Sequence, residues 1–463
     1  MSVHDAAAIA ANRFGLGARP GDLAQIGEEG RGWLADQLKG APSQLEEAGL
    51  RPGAQILAQG LALRARRRDA KSGEAAAAAD LLKLPQLYRP IYVDEVNARL
   101  RAAIASDRPF IERLTHFWSN HFAVSVDKVI VLGLAGAFER EAIRPHVLGN
   151  FTDLLLAAER HPAMILYLDN QRSAGPDSPL ARLVARRAPE RKPGINENLA
   201  REILELHTLG VNGGYTQADV TEFAKVISGW SIGGGQGRFA RGEPGAFVFR
   251  PELHEPGAKS LLGKRYADRG EEQGVAVLRD VAQRPQTARF IATKLARHFI
   301  ADDPPASAVE RLTRVWLASS GHLPSVYRAL IDSPEAWQAG SGKFKTPADY
   351  ILSGFRGLEL PVEAGHGAIA SFEVLGQRNY SPGSPAGWPD RSADWDGPSA
   401  LMKRIEWADT VGQRLGSRRN AMERASQLLG DTLSSATRTA IARAASGAQA
   451  LTLLLTAPEY MRR

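Results

Sequence analysis

The chain predicts an all-α fold: a large multi-helix domain with one minor β-hairpin near residues 247–266. Three observations carry this. Apolar residues recur at three- and four-residue spacing through most of the 463 residues. The clearest β signal is confined to Phe247–Phe249 and Leu261–Leu262. A composition of 44% hydrophobic and 24% charged residues is that of a packed globular protein rather than a disordered one.

Taken in order, Ala6–Arg13 and Asp22–Leu38 read as helices, the second anchored by Trp33 and Leu34. Residues 59–83 are rich in alanine and arginine and predict an exposed helix pair or a mobile segment. Amphipathic helices follow at Tyr92–Ala105, Pro109–Phe122, Val126–Arg144 and Val147–Arg160, then a short apolar helix at Ala163–Leu168. The polar segment Gln171–Gly194 has the length of a functional or disordered loop. Thr216–Asp219 is close to a capping box and starts a helix that runs to about Trp230. Gly233–Gly245 reads as flexible, and from Glu271 onward the chain is mostly helical, broken near 360–371 and 376–398. We therefore expect a single domain over 1–463, with lobes 1–232 and 271–463 joined by 233–270. One internal echo, Val326–Trp337 with Ala450–Met461, places proline, glutamate and a large side chain after a helix twice; a solenoid would need more copies.

Composition excludes several functions. There is no cysteine, which removes disulfides, thiolate nucleophiles and cysteine-based metal sites. Net charge is +7, with basic runs at Arg64–Arg68, Arg186–Lys192 and Arg414–Arg419. These runs lack interleaved aromatics and any recognition motif, so they predict solvated surface, no nucleic-acid partner and a mild preference for anions. No apolar stretch is long enough to span a membrane, and the N-terminus has no signal-like pattern, which predicts a cytoplasmic protein. Nucleophile-elbow, P-loop, His-Glu-x-x-His and EF-hand signatures are absent.

The chemically dense stretch is Asn196–Val211. At about 100° per residue, Asn198, Arg201, Glu202 and Glu205 share one face of a helix capped by Asn196, and His207 lies in the apolar flank. Two carboxylates at i and i+3 could bind a cation or share a proton. The structural alternative is an Arg201–Glu205 pair with buried hydrogen bonds. Further candidates are His116, Glu139, Asp169, Asn170, Tyr215, His254 and Trp388. His116 and His121, five apart, diverge by about 140° and cannot face one ion together. Glu112, His116 and Asn120 share a stripe, so His116 is either one ligand of a mixed site or a satisfied core histidine. Glu139 sits in a charge-dense turn, Asp169 and Asn170 end a helix, and His254 lies in a loop after a strand. Trp388, within Pro382–Trp395, reads either as an aromatic wall or lid or as the anchor of an ordinary packed crossing.

Several of these segments together resemble a bacterial family catalogued as domain of unknown function 1800. They are RFGLGAR at 13–19, HFWSNHF at 116–122, FEREAIR at 138–144, YLDN at 167–170, the 196–211 stretch, GGYT at 213–216, Gly229-Trp230, HEPG at 254–257, Leu262-Gly263 and PAGWP at 385–389. The resemblance implies no established activity. It implies that members are often exported and encoded beside a sulfatase- or alkaline-phosphatase-like partner, and the chain departs from the first by lacking an evident signal sequence.

Two functions follow as expectations. One is an enzyme or metal-dependent protein with a His/carboxylate/Asn site in a helical cleft. There Glu202, Glu205, His116 and His254 are catalytic, and Glu139, Asp169, Asn198, Glu202 and Glu205 hold a divalent metal. The other is a non-catalytic helical adaptor for the neighbouring hydrolase-like protein.

Overall fold

A computed structural model describes residues 3–42, 44, 45, 47, 49–72, 83–188, 190, 194–235, 240–338 and 342–463. The reading of 59–83 and those of Arg186–Lys192 and Gly233–Gly245 fall partly outside these residues. Inside them, Gly53–Ser72 is one continuous helix and Arg186 and Arg187 are exposed.

The described chain is predominantly helical, as the apolar spacing predicts. Its β structure is two short antiparallel pairs, Trp230–Ile232 with Phe247–Phe249 and Lys259–Leu261 with Lys264–Tyr266. The minor hairpin is thus 259–266. Phe247–Phe249 pairs instead with a strand that the sequence reading had placed at a helix end, because Gly229 turns the chain at φ 88° and stops the preceding helix. No described helix is long and apolar enough to cross a membrane.

One buried apolar cluster extends from Ala7 to Met461. Its first and last thirds interlock. The Phe14 ring stacks on Trp337 at 5.3 Å and on Phe299 at 5.8 Å, and meets Phe110 edge-on at 5.8 Å. Deeper still, the Trp118 indole N–H donates to the Tyr327 hydroxyl at 2.6 Å, so two large aromatics are buried without an orphaned polar tip.

The helices depart from the expected pattern where buried charge enters them. Ala10–Phe14, Glu139–Ile143 and Ile203–Thr208 are π-helical. The Val126–Arg144 helix begins only at Ala135, after a run of turns tied down where the Val126 N–H donates to the Tyr380 carbonyl at 2.9 Å. Gln171–Gly194 is not all loop. Pro179–Arg187 is a helix capped by the Ser178 side chain, and Pro179 supplies the fixed φ of a first helical residue.

Candidate functional site

A cavity of about 350 Å³ lies between two helices, Pro109–His121 and Pro285–Phe299, roofed by the 377–391 loop. Each helix presents one stripe to it. On the first, Arg113, His116, Phe117 and Asn120 recur at helical spacing; on the second, Lys294, Arg297 and His298 do so. Among the described residues, six arginines and lysines line the cavity against three aspartates, so its wall is electropositive.

His298 is held by a carboxylate 92 residues away: its Nδ1 lies 3.1 Å from Asp390 Oδ2. Burial opposes ionisation of Asp390, but His298, Lys343 and Arg463 outweigh it and hold the carboxyl well below the usual range. Lys343 Nζ and Arg463 Nη2 stand 3.4 and 3.5 Å from Asp390 Oδ1. Burial, helped by Arg463 and Arg113, pulls the His298 imidazole down to about 4 despite Asp390. Near neutral pH the pair is therefore an ionised carboxylate and a neutral ring. A carboxylate only accepts, so Nδ1 carries the proton and Nε2 keeps its lone pair. That Nε2 has no hydrogen-bond partner and is closed off from solvent, and so is Nε2 of His116. His116 is held well below the usual histidine range by burial and by Arg99, Arg144 and Arg113.

Below the cavity a second layer fixes this arrangement. Arg144, fully buried, reaches both oxygens of Glu112 at 2.9 Å and Glu139 at 3.1 Å. Glu139 also pairs with Arg99 at 2.8 Å and accepts from the Ser119 hydroxyl at 2.8 Å. Arg113 pairs with Asp349 at 3.0 Å. The guanidinium of Arg99 lies 4.9 Å over the ring of Tyr380, a non-glycine residue at φ 52°. Such left-handed backbone in a bulky residue is strain that the surrounding contacts must hold.

The roof is pinned by Asn120. Its amide donates to the Trp388 carbonyl at 2.9 Å and its oxygen accepts the Trp388 N–H at 2.7 Å. Gly387 is required beside it: φ is 82°, and a Cβ there would lie 2.3 Å from the Asn120 carbonyl. Trp388 lines the cavity and, two residues on, Asp390 is oriented towards His298.

Of the residues singled out from sequence, His116, Asn120, His121 and Trp388 line this cavity, and Glu112 and Glu139 lie directly beneath it. The others lie elsewhere. Asn196 donates to the Leu168 and Asp169 carbonyls and caps Asn198, which is exposed. Arg201 pairs with Glu197 at 3.1 Å rather than with Glu205, which accepts from the Tyr215 hydroxyl at 3.2 Å. Glu202 is half-buried, and burial raises its carboxyl. His207 is buried against Glu159 at 2.7 Å. Asp169 pairs with Lys128 at 2.7 Å, and Asn170 donates to the Ile227 and Trp230 carbonyls. His254 meets the Ser228 carbonyl at 2.9 Å. The structure does not bring Glu139, Asp169, Asn198, Glu202 and Glu205 together, and no three His, Asp or Glu side chains among the described residues group so as to hold a metal ion.

His298, Asp390, Lys294 and Tyr380 escaped the sequence reading. A signal for part of the set was present: Lys294, Arg297 and His298 share one face of a strongly amphipathic helix, where a polar stripe toward other helices needs partners.

The fold and site define a class: a predominantly α-helical protein enclosing a small, basic, histidine-bearing cavity. The particular family follows from comparison. The chain belongs to DUF1800, described as a protein of unknown function, which matches residues 9–462. No curated protein and no solved structure matches it.

Proposed function

We propose that the protein is an enzyme acting on a small polar molecule in this cavity, with His298 as the proton-transferring group and Asp390 as its orienting partner. One observation carries the reading: a neutral imidazole whose Nδ1–H is fixed by an ionised carboxylate, with an unpartnered Nε2, in a residue that lines a cavity of substrate size. His116, the second unpartnered imidazole, would receive or relay the proton. The Asn120–Trp388 clasp supports this assignment, since it holds the roof that carries Asp390 over the cavity.

The test is turnover of p-nitrophenyl carboxylate, phosphate and sulfate esters and p-nitrophenyl glycosides by wild type, His298→Gln and Asp390→Asn. A loss of at least ~100-fold in His298→Gln, with an unchanged urea midpoint, is the expected result. Equal rates in wild type and His298→Gln, or no turnover of any ester or glycoside by wild type, would count against the reading and favour an adaptor.

A further inference from the structure

We infer that Lys294 and Arg297 form an oxyanion subsite, so that the molecule bound in the cavity carries a phosphate, sulfate or carboxylate group. The inference rests on the assignment of the cavity as a binding site and adds the chemistry of what it binds.

The argument is one of unbalanced charge. Most cations of the cavity wall already have a carboxylate. Arg99 has Glu139 at 2.8 Å, Arg113 has Asp349 at 3.0 Å, Arg391 has Asp303 at 3.2 Å and Arg378 has Asp127 at 3.6 Å. Among the described residues, no carboxylate stands within ion-pair distance of Lys294 or Arg297. The ammonium of Lys294 rests 5.6 Å from the centre of the Phe290 ring, and the Arg297 Nε–H donates to the Asp302 carbonyl at 3.2 Å. Asp390, whose charge acts on Lys294, is engaged by His298, Lys343 and Arg463. Two positive groups one turn apart on a cavity wall, without counter-charge, repel each other and lose hydration. A bound oxyanion removes both penalties together.

Geometry selects the anion's place. Lys294, Arg297 and His298 lie on one stripe of the Pro285–Phe299 helix, so a group held by the first two sits next to the imidazole. Across the cavity Arg113 is occupied by Asp349 and the Gly15 carbonyl, which leaves that side for the uncharged part of the molecule, against Phe117 and Trp388. A lysine recognises the anion as a point charge and an arginine as a fork, a combination suited to tetrahedral oxyanions as well as to carboxylates.

Calorimetric titration of the full chain with inorganic phosphate, sulfate and acetate separates the three sources. We expect binding of at least one of them with a dissociation constant of ~1 mM or tighter. Lys294→Met should weaken that binding at least tenfold and Lys294→Arg by less than threefold. Lys294→Gln serves as the second neutral variant should the methionine impair folding. Phosphate or sulfate binding without acetate binding would assign a tetrahedral group, and the reverse a carboxylate. Unchanged affinity in the neutral Lys294 variants, or no heat with any of the three anions, would overturn the subsite. Loss of anion binding in those variants alongside undiminished turnover by His298→Gln would instead keep the subsite and discard the acid–base role.

Discussion

Acid should destabilise this protein above the range in which most carboxylates protonate, and the histidines of the cavity set the size of the effect. Burial holds His116 and His121 well below the usual histidine range and His298 at about 4. In the unfolded chain the same rings titrate near ~6.5. The unfolded state therefore binds more protons between these limits, and stability, complete above about pH 6.5, falls as the pH drops toward the folded values. For one such ring, the loss from pH 7.0 to 5.5 is about 1.2 kcal/mol, and for three about 4 kcal/mol, a large part of a typical folding free energy. His146 and His254 shift in the same direction, while Glu95 and Glu202, raised by burial, return some stability as they protonate. The assay is urea unfolding followed by tryptophan fluorescence at the two pH values, converted to free energy with a common slope. His121→Phe should remove about one third of the acid loss, because a phenyl ring suits the Phe117, Trp118 and Phe122 surroundings of His121 but takes up no proton. A midpoint independent of pH over this range, or an acid loss identical in His121→Phe and wild type, would refute the reasoning.

Three further outcomes follow from the packing. Arg144→Met deprives buried Glu112 of both its bonds and should cost about 3–5 kcal/mol in urea unfolding, with Glu112→Gln in the same chain restoring part of it. Gly387→Ala forces a Cβ against the Asn120 carbonyl at positive φ and should cost about 1–3 kcal/mol, with more efficient acrylamide quenching of tryptophan as the roof loosens. Phe14→Ala empties the contact between the two ends of the core and should cost about 3–5 kcal/mol, lowering the urea midpoint without changing affinity for the anions tested above.

The helical architecture could be read from sequence because apolar spacing is a local signal, and Pro109–His121 kept its expected bounds almost unchanged. The site was harder for two physical reasons. Its central pair joins His298 to Asp390 across 92 residues, and no periodicity reports a contact of that kind. The richest polar stretch, 196–211, drew notice because burying it is costly, but the cost is largely met nearby: Asn196 is spent on backbone carbonyls, Arg201 on Glu197, Glu205 on Tyr215 and His207 on Glu159. The 100° wheel also fails there, because the helix widens at Ile203 and the expected Arg201–Glu205 pair is replaced by Arg201–Glu197. The same widening at Glu139 lets it reach Arg144 five residues on, a pairing the α-helical rule does not foresee.

These widened turns bear on how such a chain can change over generations. Each of the three carries a buried polar group that faces inward: Arg13, Glu139 and His207. Deleting one residue from such a turn would restore ordinary α-helical bonding and improve the helix taken by itself. It would also rotate everything on one side of the deletion by about 100° relative to the other, swinging the buried charge off its partner. Substitution is therefore the tolerated currency of variation in these three segments and length is not, so that related chains should differ there in residue type while keeping the same count.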